Sequence, residues 1–312
     1  MRKIRIALGA CLGACACLAV DYGTFSADGT VAFGEIAEAS TITIDPGVTV
    51  TSSTAFTGSG LLTVSGGGTL VLSAASPGHS GGIRIGKAVV KVDAPNALGT
   101  GTVTIQGKTD AGGTSQLFFA TGSFGQAYPN DIVLESTSTK QNEEASANTA
   151  LWFDAPTSAI ELNGTVTAHG NLGMYNPRPK TGGTSNTATV KFNNSVTVEG
   201  SIQTYAVNQT QADYHFYGPV TATLVKSYGN ANSSNPFIHL YNANNRIGTV
   251  QYQYKGGIYP KVDDACGGAA LSVVSNVRWN FDLGGHNQTM AYVSSAVTKS
   301  EKRPSRHQQP PR

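Results

Sequence analysis

The amino-acid sequence predicts an all-β solenoid, in which short strands wind into coils that stack along one axis. The chain of 312 residues contains 37 glycines and only 13% charged side chains, which is typical of short strands joined by tight turns. Alternating apolar segments occur in pairs, and the pairs recur about every 20 residues between residues 61 and 107. One pair is too short to bury its own apolar side chains, so successive pairs are expected to stack.

The first strands are predicted from five short segments, LLTVS, TLVLS, GIRIG, AVVKV and TVTIQ. Side chains alternate between the two faces of a strand, so Leu62 is predicted to face the core while Thr63 faces outward. By the same argument, the last segment of the repeat contributes Leu98, Val103 and Ile105 to the predicted core.

The segment NALGTGTVTIQG, residues 96–107, places Gly99 and Gly101 directly before a strand. Dinucleotide-binding loops place their glycines after a strand and before a helix, so this order argues against a phosphate site. A closed coil turns sharply several times per circuit, and glycine permits the positive φ angles that such turns use. Gly99 and Gly101 are therefore predicted to be structural turn residues.

After residue 107 the repeat becomes less regular, although strand-like segments continue. From residue 188 onward their spacing is about 23–27 residues, as expected of coils with longer turns. The polar segments 136–149 and 173–187 are predicted to be protruding loops. Residues 21–298 are predicted to form one β-helix domain, and the basic segment 299–312 is predicted to be a disordered tail.

Residues 1–20 have the features of an export signal peptide, with a basic start followed by a short apolar stretch. Ala14-Cys15-Ala16 offers a cleavage site, so ordinary cleavage is one outcome. The alternative is that LGAC acts as a lipoprotein box, which makes Cys15 a lipidated first residue. The apolar stretch is too short for a permanent span, so no transmembrane span is expected in the mature chain.

The segments GSGLLTVSGGGTLVLSA (58–74) and GGIRIGKAVVKVDAPNALGTGTVTIQG (81–107) resemble the autotransporter-associated β-strand repeat, also called the passenger-associated transport repeat. The family pattern is a glycine-led strand pair, a Gly-Gly step, a strand, NALGxG and a closing strand. The best match covers residues 58–107, and it departs at ASPGHSGGI, where the family has NTYTGGT. The segments 245–254 and 281–290 are similar to later parts of the same proteins.

This resemblance implies a right-handed parallel β-helix that is exported by a Gram-negative bacterium. Family members are surface or secreted passengers, and many end in an outer-membrane β-barrel. No barrel-length series of alternating segments follows residue 290, so the reading frame is expected to be truncated or frame-shifted. The translocator is then expected to act in trans or to be lost by truncation. Localisation is expected to be extracellular or at the cell surface, or periplasmic for a truncated, unanchored chain.

Chemistry-bearing residues give no pattern that predicts catalysis, a metal or a cofactor. Basic residues concentrate at the two ends of the chain and the body is mildly acidic, so no nucleic-acid partner is predicted. Glycoside cleavage usually needs two carboxylates flanking one bond, but the adjacent Asp263 and Asp264 are typical of a solvated turn. Cys266 has no neighbouring Cys-His signature and is predicted to be a small strand-edge residue.

Tyrosines give the candidate binding residues. Tyr252, Tyr254 and Tyr259 are close in sequence, and the first two share one face of a strand. Exposed on a solenoid, such rings would stack on sugars of a host or surface ligand; alternatively, they cover the interior or the rim of a coil. A second group comprises Tyr214, Phe216, Tyr217 and Tyr241. The predicted function is an exported structural or adhesive protein, and the competing hypothesis is a carbohydrate-binding or carbohydrate-cleaving β-helix.

Overall fold

A computed structural model describes residues 20–107, 115–136, 150–154, 158–176, 187–206, 211–228, 235–253, 256–273 and 283–295. These residues form a β-solenoid of about nine coils in which neighbouring strands are parallel, so the predicted all-β solenoid is confirmed. Within the described ranges the structure has one 3₁₀ turn, Thr121–Ser123, and no α-helix. The predicted tail and all of the predicted leader except Val20 lie outside the described residues.

The strands in chain order are β1 (Val20–Phe25), β2 (Gly29–Thr30), β3 (Ser40–Ile44), β4 (Thr49–Ser52), β5 (Leu62–Ser65), β6 (Thr69–Leu72), β7 (Ile83–Ile85), β8 (Val89–Val92), β9 (Val103–Ile105), β10 (Gln116–Phe119), β11 (Ala127–Tyr128), β12 (Ile132–Leu134), β13 (Leu151–Phe153), β14 (Ala159–Leu162), β15 (Val166–Ala168), β16 (Leu172–Asn176), β17 (Thr187–Phe192), β18 (Val196–Val198), β19 (Ser201–Ala206), β20 (Gln211–Phe216), β21 (Val220–Tyr228), β22 (Asn235–Leu240), β23 (Arg246–Gln253), β24 (Gly257–Pro260), β25 (Ala270–Val273) and β26 (Val293–Ser295).

These strands form three parallel ladders that run along the axis. Ladder 1 contains β1, β3, β5, β7, β9, β12, β15 and β18. Ladder 2 contains β2, β4, β6, β8, β10, β13, β16, β19, β25 and β26. The long strands β21 and β23 continue both ladders. Ladder 3 contains β11, β14, β17, β20, β22 and β24.

The early register confirms the predicted repeat. Leu62 pairs with Ile83 and Ile83 with Val103, so partners lie 21 and then 20 residues apart. The coils then lengthen, because Val103 pairs with Ile132 and Ile132 with Val166, 29 and 34 residues apart. The longer coils have room for a strand on the third side, which is where ladder 3 begins. The sequence pattern predicted only two strands in each coil, so the strands of ladder 3 were not expected.

One continuous apolar core fills the solenoid. Leu98, Val103 and Ile105 are fully buried, as predicted, and Leu62, Ile83 and their ladder partners are buried in the same column. Burying each such side chain contributes about 1.5–3 kcal/mol, so the stacked columns are the main source of stability.

The two predicted loops are only partly described. In the segment 173–187, residues 173–176 belong to β16 and Thr187 begins β17, so the prediction of a loop is wrong for these residues. Tyr175 pairs in register with Trp152 and Tyr205, and this backbone pairing continues ladder 2. Residues 177–186 and 137–149 lie outside the described part of the chain.

Candidate functional site

The outer surfaces of the three ladders differ in chemistry. Ladder 1 carries threonines and ion pairs, including Arg84, whose guanidinium donates to both carboxylate oxygens of Glu135 at 2.7 and 2.6 Å. Ladder 2 carries an outward aromatic row, one ring per coil: Phe118, Trp152, Tyr175, Tyr205 and Tyr228. Tyr175 and Tyr205 are only 6% and 7% exposed, and the other three rings are half-buried. Ladder 3 is followed by the more exposed Tyr217, at 40%, so its surface is the candidate site.

We call the outer surface of ladder 3 the aromatic–polar face. One row of this face is formed by register partners from successive coils: Ala127, Glu161, Lys191, His215, His239 and Tyr259. The adjacent row lies just after the strands and contains Asn163, Asn193, Tyr217, Tyr241 and Lys261. Because the strands are parallel and in register, each coil adds one side chain to each row.

The rings of this face stack along the solenoid axis. The centroids of His215 and His239 lie 4.3 Å apart, and those of His239 and Tyr259 lie 5.2 Å apart. Tyr217 stacks on Tyr241 at 4.4 Å with an angle of 20° between the ring planes. Stacked rings use their faces on one another, so the edges of the rings point outward. Tyr217 is the most exposed ring of these stacks, at 40%.

Burial holds His215 in its neutral form. Desolvation and then the charge of His239 lower the pKa of His215 to about 4. Its Nδ1 lies 3.1 Å from the hydroxyl of Tyr241, and His239 Nε2 lies 3.5 Å from an oxygen of Asp213. Lys191 and Lys261 also disfavour a proton on His215, whereas Asp213 favours one.

A pH dependence of stability follows from His215. Its folded pKa of about 4 lies below the ordinary value of 6.5, so protons bind preferentially to the unfolded chain. Stability is expected to be complete above pH 6.5 and to fall as the pH decreases toward 4. His215→Phe keeps a ring in the stack but cannot titrate, so its melting temperature is expected to fall less over this interval. The matched control is His169→Phe at an exposed position, and equal pH slopes in wild type and His215→Phe would refute the assignment.

An ion pair stands beside the stacks. Lys191 Nζ donates to Glu161 Oε1 at 2.8 Å, and Asn193 Nδ2 lies 2.7 Å from Asn163 Oδ1 and 3.3 Å from Glu161 Oε2. The bond from Lys191 lowers the pKa of Glu161 and raises that of Lys191. Both side chains are about one-third exposed, so the pair contributes at most about 1 kcal/mol to stability. Its main effect is to hold charged groups in place at the surface.

A shallow depression of about 380 Å³ adjoins this ion pair. It is lined by Gly125, Gln126, Ala127, Ala159 and Glu161. Ala127 and Ala159 occupy outward positions in the first strands of ladder 3, where later coils carry larger side chains. The face therefore rises from small side chains in its first coils to aromatic rings in its later coils.

The predicted tyrosines lie in different environments. Tyr252 is only 1% exposed and its hydroxyl donates to the carbonyl of Ile258, so the prediction of a glycan contact at Tyr252 is wrong. Tyr254 lies outside the described residues. Tyr259 is half-buried and belongs to the aromatic–polar face. Tyr214 and Phe216 point into the core.

Several residues of this face were missed by sequence reasoning. Glu161, Lys191 and His215 are 24 to 30 residues apart in sequence and meet only because ladder 3 aligns them. The available signal was the alternation in the segments that became β17 and β20, which place Lys191 and His215 outward. Alternation alone does not reveal which strand lies next to which.

Gly99 and Gly101 lie where the chain turns into β9. Gly99 has φ = 70°, and a Cβ atom at this position would overlap the carbonyl oxygen of His79. A Cβ atom on Gly101 would overlap the backbone of Gly82 in the preceding coil. Asn130 Nδ2 donates to the carbonyl oxygens of both glycines from the following coil, at 3.2 and 2.7 Å. Both positions thus lie between tightly stacked backbones.

Aspartates bind the turns of neighbouring coils to one another. Asp263 and Asp264 accept hydrogen bonds from the backbone N–H groups of Asn287 and Thr289, one coil away. Four further described aspartates accept a backbone N–H from an adjacent coil in the same way: Asp28, Asp93, Asp131 and Asp154. These carboxylates have structural partners, as expected of side chains that satisfy turn N–H groups.

The described cysteine is buried and has a weakly acidic thiol. Cys266 is fully covered, and burial raises its pKa to about 12. A thiol with such a pKa carries almost no thiolate at neutral pH, so its chemical reactivity is low. Cys15, the candidate lipidation site, lies outside the described residues.

Fold and surface together define a parallel β-solenoid with one accessible aromatic–polar face. In the part of the chain that the structure describes, no helix is long and apolar enough to cross a bilayer. In the same ranges, no three His, Cys, Asp or Glu side chains converge in a way that would hold a metal ion. Comparison with known proteins finds no matching family model, no similar curated protein and no similar solved structure. The site must therefore be interpreted from its own geometry.

Proposed function

We propose that this protein is an exported, non-catalytic solenoid of a Gram-negative bacterium, displayed at the cell surface or secreted, and that it binds a partner through its aromatic–polar face. One observation carries the proposal: the stacked rings of Tyr217, Tyr241, His215 and His239 lie on the outside of a fully packed core. These rings do not belong to the buried core, and Tyr217 is 40% exposed, so its ring is accessible to a ligand.

The fold is compatible with surface display. Each coil of a solenoid contacts mainly its neighbours, so coils are able to stack one after another as the chain emerges from a membrane. The resemblance of residues 58–107 to passenger repeats agrees with the 20- and 21-residue register of the early coils. The export signal at residues 1–20 supports the same proposal.

The carboxylates support a binding role over catalysis. Glycoside cleavage needs an acid with a raised pKa next to a second carboxylate. On the aromatic–polar face, Glu161 has a lowered pKa because it binds Lys191, and Asp213 lies beside His239. Glu161 therefore does not have the environment of a general acid.

Two measurements test this proposal. The full chain is expressed in a Gram-negative host, and mass spectrometry of the mature protein is expected to show cleavage near Ala16 or a lipidated Cys15. Cells that display the wild type are expected to adhere to host or bacterial surfaces, and adhesion is expected to fall at least about fivefold for Tyr217→Ala/Tyr241→Ala, since a few aromatic contacts dominate most interfaces.

Tyr292→Ala is the matched control, because this tyrosine is 62% exposed and lies just before β26 of ladder 2, outside the aromatic–polar face. It is expected to adhere like the wild type. An uncleaved leader on a chain retained in the cytoplasm would contradict the proposed export. Equal adhesion of the double variant and the wild type would contradict the proposed binding face.

A further inference from the structure

The tyrosine stack of the aromatic–polar face ends abruptly at Tyr217. One face of its ring packs on Tyr241 at 4.4 Å, while the register position in the preceding coil is occupied by Asn193. Asn163 takes the same position one coil earlier. Within the described residues, the recorded ring contacts of Tyr217 are with Tyr241 at 4.4 Å and, at 6.3 Å, with His215 of its own coil, and Tyr217 is 40% exposed. The stack therefore ends in an accessible aromatic surface next to a smaller side chain. We call this change from Tyr217 to Asn193, together with the neighbouring Lys191 and Glu161, the step.

Polar groups of both signs surround this step. The ammonium group of Lys191 and the carboxylate of Glu161 lie in the row beside Tyr217. The amide of Asn193 adds a hydrogen-bond donor that reaches both Glu161 and Asn163. Donors and acceptors thus lie next to one aromatic ring, and the opposite charges of Lys191 and Glu161 cancel.

Beyond Glu161 the surface descends into the depression of about 380 Å³ lined by Gly125, Ala127 and Ala159. Its volume lies near the lower end of the ~300–1,000 Å³ range typical of ligand sites. The depression and the step share Glu161, so a ligand longer than one ring is able to extend from Tyr217 across the ion pair into the depression.

We propose that this step binds a neutral glycan, with one hexopyranose ring packed on the free face of Tyr217 and its hydroxyl groups bonded to Glu161, Lys191 and Asn193. A pyranose ring has an apolar C–H face and a rim of hydroxyl groups that both donate and accept hydrogen bonds. The aromatic ring matches the apolar face of the sugar, and the carboxylate, ammonium and amide groups match its hydroxyl groups. This inference rests on the proposed function, since it names the ligand class for the same face.

The cancelled charges favour a neutral over an acidic ligand. Lys191 is already paired with Glu161, so a uronate would meet a carboxylate without an unpaired cation of the step to balance it. Hydrogen bonds to charged groups are stronger than those between neutral groups, which makes the hydroxyl contacts to this pair the main polar contribution. Planar aromatic ligands pack on the ring of Tyr217 but form no hydrogen bonds with the polar groups of the step.

The test uses the mature full chain and isothermal titration with neutral gluco-, galacto- and manno-oligosaccharides, an oligogalacturonate and indole as a planar probe. We expect one of the neutral oligosaccharides to bind. Tyr217→Ala is expected to weaken that binding at least about tenfold, and Glu161→Gln at least about fivefold, whereas Tyr217→Phe retains it within about threefold. Tyr292→Ala serves as the control and is expected to bind like the wild type.

Binding of the oligogalacturonate or indole alone, binding of none of the probes, or equal affinity of wild type and Tyr217→Ala would overturn the inference. The variants must keep the melting temperature of the wild type, so that weaker binding does not reflect unfolding. Tyr217→Phe keeps the ring and removes the hydroxyl, so it shows which of the two groups the ligand needs. Adhesion that depends on Tyr217 and Tyr241 but is not inhibited by any neutral oligosaccharide would leave the proposed function standing and remove the glycan.

Discussion

Replacement of Gly99 by valine is expected to lower the free energy of unfolding by about 4 kcal/mol or more. Two effects add at this position. The backbone has φ = 70°, which a β-branched residue adopts only with strain, and a Cβ atom would overlap the carbonyl oxygen of His79 in the preceding coil. Gly101→Val is expected to have a similar effect, because its Cβ would overlap the backbone of Gly82.

Equilibrium unfolding in guanidinium chloride, followed by far-ultraviolet circular dichroism, measures both effects. Gly47→Val is the matched control: its φ is 80°, but no atom lies within 4 Å of the position of a Cβ. This variant carries the backbone strain without the overlap, so it is expected to lose much less stability. Equal stability of Gly99→Val and Gly47→Val would contradict the claim that neighbouring coils pack closely at Gly99.

Phe119→Ala is expected to cost about 3–5 kcal/mol, the usual range for removing a fully buried phenylalanine. The ring of Phe119 is fully buried, stacks on Phe153 at 5.5 Å and meets Tyr128 edge to face at 5.2 Å. Because its ladder partner belongs to another coil, its loss leaves a cavity that two coils must share. The free energy of unfolding of the variant gives the cost directly.

The adjacent Phe118 provides a control on the same strand. Strand alternation turns its side chain to the outer surface of ladder 2, where it is half-buried against Trp152. Phe118→Ala is therefore expected to cost less than half as much as Phe119→Ala. A larger cost for Phe118→Ala than for Phe119→Ala would show that the inward face of β10 is assigned incorrectly.

The coils between residues 61 and 107 were predictable because their signal is local and repeated, whereas the earlier strands β1 to β4 were not predicted. Leu62, Ile83 and Val103 recur at nearly constant spacing with the same alternation around them, so the sequence contains both the strands and their register. Glycine supplies the second signal at Gly99, since a sharp turn before a strand needs a positive φ. Both signals involve residues within one repeat of each other.

Ladder 3 and its face were not predictable in the same way. Its partners Ile160 and Val190 are 30 residues apart, with long polar segments between the strands that hide the repeat. Alternation also leaves open which face of a strand points inward. Tyr252 faces the core because the coil before it contributes the small Ser227 at the same register position, which leaves room for a tyrosine ring.

The central claim is that the chain forms stacked parallel coils, and distances between spin labels on ladder 1 test it most directly. Thr63 is connected by successive register partners to Thr167, Thr197 and Thr221, which lie four, five and six coils away. Labels are attached to cysteines at Thr63 and one of these positions, with the native cysteines replaced by alanine.

Pulsed electron spin resonance is expected to give mean distances of about 19, 24 and 29 Å for the three pairs, because neighbouring parallel strands are about 4.8 Å apart. The increase of about 5 Å per coil is expected to be the same for both steps, although the first adds 30 residues and the second 24. Distances that do not increase by one strand spacing per coil would contradict the stacked-coil structure.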